Sequence, residues 1–192
     1  MKNRVLPSMI IGLVLMFTGC SGNEDTTTEN ATPGQSSYDS GHFTISVPQD
    51  WEVVERASFT SNVPIETVVG FRSNLKSEIF TANVSISETP LPPEIGSQDF
   101  AKSSVVSAQK RLNSYQQLSL QDHEFQHGET SIPTYIVEFS GKQSPIEPIV
   151  QFKQLFVVES GVGYTITGAF LPNEQENIVK QIDAMLDSFS LK

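Results

Sequence analysis

The chain has 192 residues, 12 Lys and Arg against 22 Asp and Glu, one Cys and one Trp. A net charge of −10 repels phosphate backbones and anionic lipid, which argues against nucleic acid and against electrostatic docking to a membrane. Apolar content of 38% and charged content of 18% suit one folded domain without a second core.

The first stretch reads as an address. Lys2 and Arg4 form a charged start, and "MIIGLVLMF" (Met9 to Phe17) is an apolar run too short to span a bilayer. Thr18, Gly19 and Cys20 follow, and the series resembles the lipobox of bacterial lipoproteins, with Phe17 where Leu is usual. Residues 1–19 are therefore read as a signal segment and Cys20 as the lipidated mature N-terminus. The alternative is an ordinary secretory signal with a chance Cys. Two acyl chains on Cys20, at about 0.8 kcal/mol per buried CH₂, anchor a protein without basic residues. Losing Lys2 and Arg4 leaves 10 basic and 22 acidic side chains, a charge of −12. No second Cys is present, so disulfides play no part.

Residues 20–37 hold the lipidated Cys and a polar spacer whose one apolar side chain is Ala31. Such a composition predicts a flexible tether. The folded domain is expected over residues 38–192. Phe43, Ile45 and Val47 alternate with polar neighbours and Pro48 ends the run, which predicts a half-buried strand, with "WEVV" as a short continuation. Thr67–Ser73 and Phe80–Glu88 are the next expected strands, and Thr89–Gly96 a Pro-rich connector.

Ser97 is a plausible N-cap for a helix to about Asn113, with Ala101, Val105, Ala108, Leu112 and Tyr115 on one face. A strand pair follows, Gln117–His127 and Pro133–Ser140, with its turn at Gly128-Glu129. After a loop to Pro148 comes a last hairpin turning at "SGVG" (Ser160–Gly163), where two glycines permit positive φ. Asn173 and Glu176 are compatible with a capping box for a final helix burying Ile178, Ile182, Met185 and Phe189. The order of elements predicts an α+β fold with a mainly antiparallel sheet.

"FTISVPQDW", "YIVEFS", "QLFVVESGVGYTITGAF" and "IDAMLDSFSL" together resemble the PsbP-like family, which includes DcrB-like bacterial lipoproteins. The resemblance covers about residues 38–192. It implies a central antiparallel sheet flanked by helices on both faces, an α/β/α sandwich. It also implies a largely non-enzymatic role in assembling or stabilising membrane complexes, or in the cell envelope. It carries over no functional residues and no link to photosynthesis.

One catalytic motif is present. His123-Glu124-Phe125-Gln126-His127 satisfies H-E-x-x-H, in which a helix brings two imidazoles to one zinc and the Glu acts as base. Glu138 or Glu147 would be the nominal third ligand. The flank is strand-like, however, and in a strand residues four apart lie about 13 Å from each other, too far to share a metal. The "GVG" run lacks the strand–helix order of a nucleotide loop, and no G-x-S-x-G occurs. Trp51 is expected in the core or its rim, with a partner-facing anchor as the other option. His42, at a strand start, is expected on the surface.

The expected function is that of a lipid-anchored, non-catalytic envelope protein that binds or helps assemble a membrane-associated component. No cofactor is implied. The alternatives are a zinc peptidase using His123, Glu124 and His127, and a binder of a small apolar or lipidic ligand between helix and sheet.

Overall fold

The computed structural model describes residues 34–60 and 63–192. The expected signal segment, Cys20 and the spacer up to residue 33 lie outside the described residues.

The first strands are β1 (Gln35–Asp39), β2 (Phe43–Pro48), β3 (Trp51–Glu55), β4 (Thr67–Ser73) and β5 (Asn83–Pro90). Helix α1 (Ser97–Arg111) comes next, then β6 (Asn113–His127), β7 (Thr130–Lys142), β8 (Val150–Glu159) and β9 (Val162–Phe170). Helix α2 (Glu176–Ser188) and β10 (Ser190–Leu191) complete the chain order. Seven strands form one sheet in the order β3-β4-β5-β9-β8-β7-β6, and β1-β2-β10 form a second. Every pairing among the described strands is antiparallel.

Alternation on the central strands makes two cores. Val84 and Ile86 of β5 face one side with Leu155, Val157, Tyr164 and Ile166, and α2 packs there through Ile178, Ile182, Met185 and Leu186. The small sheet adds Phe43, Ile45 and Val47 to the same side. Phe139, Phe152 and Phe156 face the other side, under Phe100, Ala101, Val105 and Ala108 of α1. Helices thus flank both faces, as expected, and a three-stranded sheet shares one of them. The mixed faces of α1 and α2 follow from these contacts, since most helical stability comes from packing one apolar face.

Several details differ from the sequence reading: β5 begins at Asn83 and not at Phe80 and runs on to Pro90, and Phe189 follows α2 and is not part of it. β1 begins at Gln35, so residues 35–37 belong to the fold and not to the tether; Ser36 and Ser37 pair with Val47 and Ser46. Helix α1 stops at Arg111: Leu112 is already extended, β6 starts at Asn113, and the positive φ of Ser114 (55°) falls in the irregular register at the strand's beginning. Tyr115 is therefore a strand residue, stacked on Phe139 across the ladder at 5.4 Å. Neither Ser97 nor Asn173 caps a helix: Gly96 and Gln175 hold the cap positions without side-chain bonds. Gly161 does adopt positive φ in the last turn, but Gly163 does not. Its missing side chain makes room for Phe100, whose ring would lie 2.7 Å from a Cβ there.

Candidate functional site: a groove beside a peeled hairpin

The β6–β7 hairpin is longer than the sheet it joins. β7 pairs with β8 only from Ile136 to Gly141, so Thr130–Tyr135 and the facing half of β6 leave the sheet. Phe125 sets their course. It is 4% exposed and packs on Phe189 at 5.9 Å, which draws the arm toward the face that carries α2. Thr134, fully buried, donates its hydroxyl to the Phe156 carbonyl at the point of separation.

Peeling uncovers the edge of β8 beyond Phe156. The Val158 N–H there would lack a strand partner, and Ser97 at the start of α1 accepts it through Oγ at 2.8 Å. A buried amide without a partner costs about 1–3 kcal/mol, so this contact explains why Ser97 is buried and not a cap. The gap between arm and helix start is an open groove of about 700 Å³. Leu91, Ile95, Ile132 and Val158 give it apolar walls, and Gln98, Asp99 and Ser160 line it with polar groups. Glu94 and Glu159 adjoin these residues in sequence. The charge of Glu159, after burial and Glu88, helps to push the Tyr164 phenol above its ordinary range.

The residues singled out in sequence do not converge on this groove. His123, Glu124 and His127 lie in β6, an extended strand, so the helix that a zinc peptidase requires is absent there. Alternation puts the two histidines on the strand face that carries buried Phe125, and Glu124 on the opposite, exposed face. Glu124 accepts the hydroxyl of Ser131 at 2.5 Å, and Glu138 pairs with Lys153 at 3.3 Å. The segment thus lacks the helical turn through which an H-E-x-x-H motif brings two imidazoles to one zinc. The cavity walled by Phe80, Pro148 and Phe152 is too small for the apolar ligand of the other alternative, with about 10 Å³, space for about one water.

Trp51 is core, 5% exposed, and its Nε1 donates to Gln181 of α2 at 2.8 Å. His42 is a surface residue facing Glu88 at 3.4 Å. Sequence reasoning missed the groove. Its one local signal was a run of prolines, Pro90, Pro92 and Pro93, ahead of α1; the other wall comes from a strand some 40 residues later.

No protein-family model matches the sequence, and no curated protein does. Solved structures do match. The solution structure of a cyanobacterial PsbP from Synechocystis sp. PCC 6803 superposes with a TM-score of 0.57 at 13% identity, over 88% of this chain and 98% of that one. A Pseudomonas aeruginosa protein, PA94, described as of unknown function and a putative regulator, superposes with a TM-score of 0.52 at 11% identity. That match covers 80% of this chain and 94% of the other. At such identities the likeness is one of fold, and it agrees with the layers described above: this domain has the PsbP-like fold.

Proposed function

We propose that the protein is a lipid-anchored, extracytoplasmic envelope protein. Its domain holds an extended segment of another envelope protein in the groove between α1 and the β6–β7 arm. The observation that carries this reading is the groove itself. Its walls are apolar, its floor is a strand edge already satisfied by Ser97, and the acids Asp99 in its lining and Glu94 and Glu159 adjoining in sequence outnumber the nearby cation Lys102. It therefore suits side chains more than a β-strand partner, and a segment whose apolar residues are flanked by Lys or Arg more than an acidic one. Anchoring through Cys20 rests on the signal segment and the Thr18-Gly19-Cys20 series.

Two measurements test the proposal. Cys20→Ala should abolish incorporation of labelled palmitate and leave an unprocessed precursor; label that persists removes the anchor. A photocrosslinking residue at Gln98 should capture the same envelope protein as one at Pro133, on the opposite wall. One at exposed Val106 on α1 should not capture it. Ile95→Asp should abolish both adducts. Adducts indifferent to Ile95→Asp, or equal from Val106, would refute the groove as the binding site.

A further inference from the structure

Nine large apolar residues are exposed among the described residues, and four of them sit at one end of the domain. Pairing fixes that end. The β4–β5 loop closes beside Asn83, which faces Ala169; Gln151 faces Phe170; and Gly141 faces Val150 at the β7–β8 loop. Leu75 and Ile79 in the first loop are 52% and 62% exposed. Ile146 and Ile149 in the second are 96% and 42% exposed. The two loops lie side by side, since Phe80 from one and Pro148 from the other wall the same small cavity. Single exposed aliphatics are ordinary, whereas four on two adjoining turns make a patch.

The described chain starts at this same end. The Gly34 carbonyl accepts the Gln49 N–H at 3.1 Å, and the next carbonyl along, that of Asp50, accepts the Asn74 N–H at 3.1 Å. The root of the segment leading back to Cys20 is thus one residue away from the loop bearing Leu75. The 14 peptide units from Cys20 to Gly34 reach at most about 50 Å, so an anchor at Cys20 keeps this end within that distance of its bilayer. Charge does not oppose contact. The chain as a whole is strongly acidic, yet residues 74–82 and 142–149 balance Lys76 and Lys142 against Glu78 and Glu147.

We propose that the end bearing Leu75, Ile79, Ile146 and Ile149 rests on the lipid bilayer that holds Cys20. The partner groove, beside the Ser160-Gly161 turn at the opposite end of the sheet, then faces away from the membrane. This orientation depends on the anchored reading above. A second copy of the chain is the weaker occupant, because four tips on two short loops are small beside the about 800 Å² per partner of a stable interface.

The test uses the full lipidated chain in phosphatidylcholine vesicles doped with a nitroxide-labelled lipid. Cys20 is occupied by its acyl chains, so Ile146→Cys and Ile65→Cys each add one reactive thiol, at opposite ends of the sheet. Both sites are exposed, Ile65 at 74%, so neither change disturbs the core. A fluorophore at residue 146 should be quenched several-fold more than one at residue 65. Ile79→Asp should reduce the quenching at residue 146, because one aliphatic side chain is worth roughly tenfold in partitioning. Equal quenching at the two sites in a lipidated protein that floats with vesicles overturns the orientation alone. A label at residue 146 that is dehydrated but not quenched puts a protein there and overturns it too. Failure of Cys20 to carry lipid overturns the anchor and the orientation together.

Discussion

Gly168 marks the closest approach between sheet and helix. A Cβ at this position would lie 2.3 Å from Cγ2 of Ile182, a fully buried side chain on α2. Gly168→Ala should therefore cost roughly 1–3 kcal/mol by overpacking. Ile182→Ala should cost about 2–5 kcal/mol through lost transfer energy and a cavity. Because the two sites share one space, the double variant should cost less than the two singles added, which thermal melts of all four proteins would show. If the costs add, the helix relaxes at this point and the contact is not the constraint it looks. Tyr38 gives a pH signature at the same scale. Burial first, then the charge and hydrogen bond of Glu55, push its phenol from 10.0 up to about 12. A folded-state value above the unfolded one means that the protonated phenol is favoured by folding. Its contribution is complete below pH 10 and is lost as pH rises toward 12. Denaturation midpoints should fall more steeply across that window in the native protein than in Tyr38→Phe; parallel curves would show that this phenol does not contribute.

The β6–β7 arm is the element most dependent on one side chain. Within the part that leaves the sheet, Phe125 is buried while its neighbours Glu124 and Gln126 are exposed. Phe125→Ala should release the arm locally, with faster hydrogen exchange at residues 120–135 and little change in β9 or α1. Uniform loss of protection would instead make the arm part of the global cooperative unit. This element also shows where the sequence was readable. Strand alternation in Phe43–Val47 and the stripe Ile178, Ile182, Met185 on α2 record burial at the period of their own element, so local pattern located them. The end of α1 was missed because Tyr115 continues the helical spacing, although the backbone is already extended at Leu112. Gly163 looked like turn chemistry because a missing Cβ has two uses, and the ring of Phe100 that decides between them is 63 residues away. The groove was illegible for the same reason. It exists because Phe125 prefers Phe189, a contact that no window of local sequence contains.

At the scale of the molecule, helix and hairpin place the chemistry-bearing residues apart. The two histidines of the H-E-x-x-H match share a strand face that Glu124 does not, and no group of three His, Cys, Asp or Glu among the described residues is arranged to hold a metal. Zinc added to purified protein should leave its melting temperature unchanged. Stoichiometric zinc that disappears in both His123→Ala and His127→Ala would reverse that conclusion. Lys153 ties the layers together instead, reaching Asp183 of α2 at 2.8 Å and Glu138 of β7 at 3.3 Å. Burial lowers its pKa, but the bond and charge of Asp183, with Glu138, outweigh this and leave it raised. Such a partly exposed network contributes modestly to stability and mainly fixes where α2 lies. The small sheet has a different consequence, one of timing. β10 pairs Ser190 and Leu191 with Thr44 and Phe43, and the Lys192 N–H reaches the His42 carbonyl at 3.0 Å. Strand β2 is thus closed by residues made 146 to 150 positions later. A chain made from its N-terminus cannot complete this sheet until residue 191 has emerged from the ribosome. Contacts of such separation form late and slowly. Meanwhile Phe43, Tyr164 and Phe125, the aromatic neighbours of Phe189, await their cover, so the emerging protein is open to chaperones and proteases until its last strand arrives.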